Sequence, residues 1–260
     1  MGPTASGKST LAVQLAQSLG GEIISVDSAL VYREMNIGTA KPTLVERGGI
    51  PHHLIDILDP SDVFSTGQFR VQTLELVADI CQRGRIPILV GGTMLYPESA
   101  ARIHPNDPQR IQRALEVYEI SGKPLSAFFT EEQSQKIPYR LIKLIISPAE
   151  RQTLHDIIAK RFMHMLDQGF IEEVERLIKR GDLNGKMPSI RAVGYRQIWA
   201  YLHGEYDKTA MIEKGIAATR QLAKRQFTWL RRETEAFQLL TGDTFLLKNA
   251  LATINKALND

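Results

Sequence analysis

An α/β fold, with a parallel sheet flanked by helices and a helical C-terminal part, is predicted by three features of this 260-residue chain. Residues 2–9, GPTASGKS, spell the G-x-x-x-x-G-K-S pattern of a phosphate-binding loop, and an apolar-patterned helix follows at once. Three apolar runs, at residues 22–26, 53–58 and 86–90, are separated by helical stretches. Each run is continuous and not alternating, as strands buried on both faces of a parallel sheet are. Beyond residue 149 the pattern is helical.

The loop comes first. Its glycines let the backbone curl so that N–H groups point at phosphate oxygens, Lys8 adds a positive charge, and the Ser9 hydroxyl is placed to bind Mg²⁺. The helix over residues 8–19 aims its positive N-terminal end at the same anion. A loop of this kind is expected to follow a buried strand, whereas only Met1 precedes it here.

The run at 22–26 ends at Asp27 and Ser28, and the run at 53–58 at Asp59 and Pro60. Ser65 and Gln68 form a capping box for a helix to about residue 83. The third run stops at Gly91, Gly92 and Thr93. Ligands of parallel sheets bind outside the carboxyl ends of the strands, so the loop, Asp27 and Thr93 are expected at one site. Pro97 interrupts the helix begun at residues 93–96, and Asn106, Asp107 and Pro108 cap a new helix over about 108–121 that stops at Gly122. A further strand is expected over 139–146, then helices over about 149–168, 170–180, 190–203, 208–232 and 244–258.

Apolar residues make up 43% of the chain and charged residues 23%, with a net charge of +3, so composition alone selects no partner. One cysteine, Cys81, allows no internal disulfide and fits a reducing compartment. No apolar run reaches the roughly eighteen residues of a membrane span, and no leader precedes the loop, so a cytoplasmic protein without a membrane partner is expected. The six histidines show no metal-ligand spacing, and no zinc site is assigned.

The candidate residues each have two readings. A nucleotide-hydrolysing loop needs an apolar strand ending in a metal-binding Asp, and the 86–90 run offers no carboxylate. Asp27 is either a turn residue bonded to its own neighbours or a general base facing the loop. Thr93 is either a plain helix start or a donor to a departing phosphate oxygen. Arg161, beside Lys160, either stays on the surface or folds inward. On a helix over 208–232, Arg220, Lys224 and Arg231 fall within roughly 40° of one another with Phe227 beside them, and Ala218, Leu222 and Trp229 lie opposite. That face is a solvated surface or, with Arg191, Arg196, Arg110 and Arg113, a nucleic-acid surface.

Taken together, GPTASGKS (2–9), SVDSALVY (25–32), MNIGTAKP (35–42), VGGTMLY (90–96) and RAVGYRQ (191–197) closely resemble the tRNA dimethylallyltransferases, or tRNA isopentenyltransferases, in the family's order and over almost the whole chain. The segments HPNDPQRIQR (104–113) and TRQLAKRQ (219–226) agree too. The resemblance implies a P-loop NTPase-like fold and transfer of a dimethylallyl group from dimethylallyl diphosphate to the N6 amine of the adenosine 3′ of the anticodon.

By that resemblance, Gly2, Pro3, Thr4, Ala5, Ser6, Gly7, Lys8 and Ser9 hold the diphosphate, with Mg²⁺ as cofactor at Ser9. Asp27 is the general base, while Thr93 and Arg161 contact the leaving group. Asp27, Ser28, Ala29 and Leu30 line the place of the extruded adenine. Gln109, Arg110, Ile111, Gln112 and Arg113, with Arg191, Ala192, Val193, Gly194, Tyr195 and Arg196, match segments that contact the tRNA anticodon stem-loop, and Arg220 and Lys224 join them. A monomer is expected.

The family also carries a strand before the loop and a helical insertion domain, here absent and reduced respectively. The expected division is therefore a P-loop α/β core at 1–96, a remnant or junction of the insertion at 97–103, and the remainder of the core with the helical tRNA-binding region at 104–260. Three other readings compete: a small-molecule or nucleoside kinase, an isopentenyltransferase of free adenine nucleotide, and a non-catalytic RNA-binding module.

Overall fold

The computed structural model describes residues 1–93 and 139–259. The helix expected over 108–121, the junction at 97–103 and the candidates Gln109 to Arg113 lie outside them.

The glycine-rich loop leads into α1 (Lys8–Leu19), which buries Leu11, Ala12, Val13, Leu15 and Ala16 and ends at Gly20 in the left-handed conformation. The chain turns at once into β1 (Gly21–Val26), buried along its whole length. A parallel three-stranded sheet forms in the order β2 (His52–His53), β1, β3 (Ile86–Gly91), with Ile23 opposite His52 and Ile88. Before β3 comes α2 (Thr66–Gln82), started by the predicted capping box: Ser65 accepts from the Gln68 N–H, and Gln68 accepts from the Ser65 N–H.

The run at 53–58 is not the strand it resembles. Only His52 and His53 pair with β1, because Leu54 and Asp56 adopt positive φ of 59° and 58° and turn the chain away. Leu58 returns to bridge Tyr32. Burial on both faces holds for β1 but not for β3, whose Ile86 and Leu89 remain 44% and 36% exposed. Among the described residues β3 pairs along one edge only.

The second half builds a separate parallel pair, β4 (Leu144–Ser147) with β5 (Phe237–Leu240). Met1 runs beside β4, its amino group donating to the Leu144 carbonyl and its own carbonyl accepting from Ile146 N–H. β5 has no counterpart among the expected strands. Only Leu239 of its four residues is buried, and Gln238 interrupts its apolar pattern. The helices are α3 (Arg151–Asp167), α4 (Phe170–Lys179), α5 (Tyr195–Leu202), α6 (Lys208–Leu230) and α7 (Leu246–Asn259). α5 starts five residues later than expected, because Gly194 at φ 92° ends a run of turns.

One core joins these helices to the loop after β1: Val31, Tyr32 and Met35 pack with Phe162, Phe170, Val174, Tyr195, Ile198 and Met211. A buried carboxylate pins the junction. Glu173 of α4 accepts the N–H groups of Asn36, Ile37 and Gly38 and the Tyr195 hydroxyl. Gly38 has no room for a side chain, since a Cβ there would lie 2.0 Å from the Phe170 ring.

Candidate active site

Three segments meet at the carboxyl end of the first sheet. The loop of residues 2–9 enters α1 through Ala5 at φ 64° and Gly7 at φ 84°, the kinked backbone that turns N–H groups inward. No side chain caps the N-terminus of α1, and no acidic residue lies in its first turn. The donors and positive dipole end of this twelve-residue helix are thus not engaged by a side-chain cap. Gly2 is also obligatory, since a Cβ would lie 2.4 Å from the Ile146 carbonyl oxygen.

Lys8 bends back to donate to the Pro3 carbonyl at 3.2 Å. Burial lowers its ammonium from 10.5 to about 8, with the Asp27 carboxylate opposing that shift and the Arg161 guanidinium adding to it. Arg161 is itself lowered, by burial first, while Asp27 pulls it back up. The three groups are therefore electrostatic neighbours, although they come from the loop, the end of β1 and α3. Arg161 is half-buried while its neighbour Lys160 is exposed, so its side chain is drawn in from the surface on the side of Lys8 and Asp27.

Asp27 follows the last residue of β1, and its Oδ1 accepts from Ala29 N–H at 2.9 Å. The local turn bond and the place beside Lys8 coexist, because one carboxylate oxygen suffices for the turn. Thr93, two residues beyond β3, accepts from Ser28 N–H at 3.3 Å, which joins the two strand ends. Ser28 is exposed, and Ala29 and Leu30 are half-buried. Ser9 is exposed on the first turn of α1. Among the described residues no group of three or more His, Cys, Asp or Glu could hold a metal ion. A Mg²⁺ here would take one protein hydroxyl and otherwise diphosphate and water oxygens, which suits an ion that keeps most of its waters.

The basic segments separate by burial. Arg191 and Arg196 are exposed, Ala192 and Val193 half-buried, and Gly194 buried. Tyr195 is completely buried, with its hydroxyl 2.5 Å from Glu173, so its side chain anchors this segment and is not presented to a partner. Burial, then Glu173, holds that phenol well above its ordinary 10.0, and it stays a neutral donor.

On α6 the face toward the core is Met211, Gly215, Ala223, Gln226 and Leu230, and the expected apolar arc of Ala218, Leu222 and Trp229 is only half-buried. Phe227 does not stand out among the cations; it packs against the Leu154, Ile158 and Ala223 cluster. Lys224 and Arg231 are exposed, while Arg220 is half-buried with its Nε enclosed and without a hydrogen-bond partner. Sequence reasoning missed the buried polar pair behind these segments, Glu173 and Gln226. Glu173 follows Glu172 and precedes Val174 and Glu175 on a helix, so only its place on the inner face could have marked it.

The sequence model of the IPP transferase family matches residues 30–99 and 97–233, and that of isopentenyl transferases matches residues 1–55. A tRNA dimethylallyltransferase of Methylococcus capsulatus is 51% identical over 300 aligned residues, covering 99% of this chain and 96% of the relative. One from Nitrosococcus oceani is 50% identical, covering 92% and 90%. Among solved structures, a tRNA delta(2)-isopentenylpyrophosphate transferase of Staphylococcus epidermidis has a TM-score of 0.79 at 33% identity, covering 98% of this chain and 97% of its own. A eukaryotic dimethylallyltransferase acting on tRNA has a TM-score of 0.83 at 27% identity, covering 99% and 78%.

Proposed function

The chain belongs to the tRNA dimethylallyltransferase family, and on that premise we propose that it transfers a dimethylallyl group from dimethylallyl diphosphate to the N6 amine of the adenosine 3′ of the anticodon. The observation that carries this reading is the convergence of Lys8, Arg161 and Asp27 beside an α1 N-terminus with no side-chain cap. Two cations and the helix end suit a diphosphate, and the lone carboxylate suits an amine. The end of β3, Gly91 to Thr93, offers no acid to assist nucleotide hydrolysis, which favours transfer over the kinase reading.

The amine lone pair attacks the allylic carbon, the carbon–oxygen bond to diphosphate breaks, and the bonding pair leaves with the diphosphate. Lys8, Arg161, Thr93 and the loop N–H groups stabilise the charge that grows on the leaving oxygen. The surplus proton of the amine passes to Asp27. Mg²⁺ held at Ser9 would add further charge neutralisation when bound. The adenine must leave its stack to reach Asp27, and residues 27–30 lie where its edge would be read. Exposed Arg191, Arg196 and Lys224 would contact phosphates of the anticodon stem-loop. The long alignment with the Methylococcus relative, 300 positions against 260 residues here, supports a shortened internal segment in this chain.

The deciding experiment supplies labelled dimethylallyl diphosphate, Mg²⁺ and unmodified tRNA, beside AMP and ATP controls. Label is expected in tRNA. Label in AMP but not tRNA, or phosphoryl transfer from ATP, would overturn the reading.

A further inference from the structure

Gln226 lies on the inner face of α6, 5% exposed, and its side chain spans two of the segments that form the site. Its Oε1 accepts from the N–H of Thr4, in the phosphate loop, at 2.7 Å. Its Nε2 donates to the carbonyl of Gly92, at the end of β3, also at 2.7 Å. Both bonds are long-range, and both are to backbone, so they fix chain position and not a neighbouring rotamer.

The fit is tight on every side. A Cβ on Gly92 would come within 2.6 Å of both Gln226 Nε2 and the Gly2 carbonyl oxygen, so the loop, the β3 end and this amide occupy one packed point. A further clamp acts on the loop from β5: Thr241, just after that strand, donates its hydroxyl proton to the Ser6 carbonyl at 2.9 Å. Gln226 differs in joining the loop to the strand end that carries Thr93.

We propose that Gln226 is a positioning residue, which locks the phosphate loop against the end of β3 and so holds the diphosphate cradle and Thr93 in one geometry. It touches no substrate. It acts by holding the Thr4 peptide with its N–H turned away from the anion, leaving the N–H groups of the later loop residues to face it. The amide supplies both a donor and an acceptor and stays neutral at every physiological pH. A buried methionine would fill the volume but leave Thr4 N–H and Gly92 C=O without partners, and the loop would relax to recover them. The proposal rests on the loop being a diphosphate site, as put forward above.

The test measures binding of inorganic diphosphate with Mg²⁺ by calorimetry, which needs no prenyl transfer and so stands apart from the transferase assay. For Gln226→Met the dissociation constant is expected to rise by about tenfold or more, with tRNA affinity and the circular dichroism spectrum unchanged. Diphosphate binding within twofold of the wild type would overturn the proposal.

Gln226→Glu supplies the second readout, and carries the test if the methionine variant fails to fold. A neutral carboxyl can accept from Thr4 N–H and donate to Gly92 C=O, whereas a carboxylate opposite Gly92 C=O cannot donate. The variant's diphosphate affinity relative to wild type should therefore fall as pH rises from about 5.5 to 7.5, after starting near unity. A ratio that does not change with pH would overturn the proposal, since loss of packing alone does not titrate.

Discussion

In the proposed mechanism Lys8 and Asp27 serve opposite ends of the same reaction, and each has a distinct signature. The Lys8 ammonium has its folded pKa lowered to about 8, so in the free protein it is charged below that pH and neutral above it. Affinity for diphosphate should accordingly fall as pH rises through about 8, as titration calorimetry at successive pH values would record, and Lys8→Met should bind weakly with that decline removed. Asp27→Asn keeps an oxygen for the Ala29 N–H but cannot take a proton. Turnover should drop by about a hundredfold or more while diphosphate affinity stays close to wild type; an unchanged turnover number removes Asp27 as the base.

The helices are held together by contacts that sequence periodicity does not distinguish. Glu173 on α4 satisfies three backbone N–H groups of residues 36–38 and the Tyr195 hydroxyl in a site 1% exposed. Replacement by Ala leaves those donors buried and unpaired, and urea unfolding should show a loss of about 3 kcal/mol. Where α3 crosses α6, Gly215 lets the helices approach so closely that a Cβ would lie 2.2 Å from the Phe162 ring. Gly215→Ala should therefore destabilise by about 1–3 kcal/mol through overpacking, although alanine is the better helix former; a raised melting temperature would mean that Phe162 swings aside.

At the scale of the molecule, binding of a nucleic acid depends on which of the 32 Lys and Arg residues reach its phosphates. Lys224 is exposed on α6, on the side away from the Gln226 clamp. Lys224→Ala should weaken tRNA binding at low salt and reduce the slope of log affinity against log salt by about one unit. An unchanged slope would leave Lys224 a solvated charge. Half-buried Arg220 differs, because its enclosed Nε makes its loss a packing change as well as a charge change.

The positions of Asp27 and Thr93 were legible in the sequence because each follows an apolar run that gives way to aspartate or glycine, and the loop of residues 2–9 was legible from its glycine spacing and the helix that follows at once. So were α1, α2, β1 and β3, whose patterns agree with their caps. Where β2 ends and that β5 exists were decided by tertiary pairing: positive φ at Leu54 cuts one short, and β4 recruits the other. The inward turn of Arg161, the burial of Tyr195 and the roles of Glu173 and Gln226 belong to the tertiary structure too. A helix pattern tells which residues share a face, but a buried polar group is defined by partners far along the chain. Thr4 is 222 residues from Gln226, and no local rule connects them.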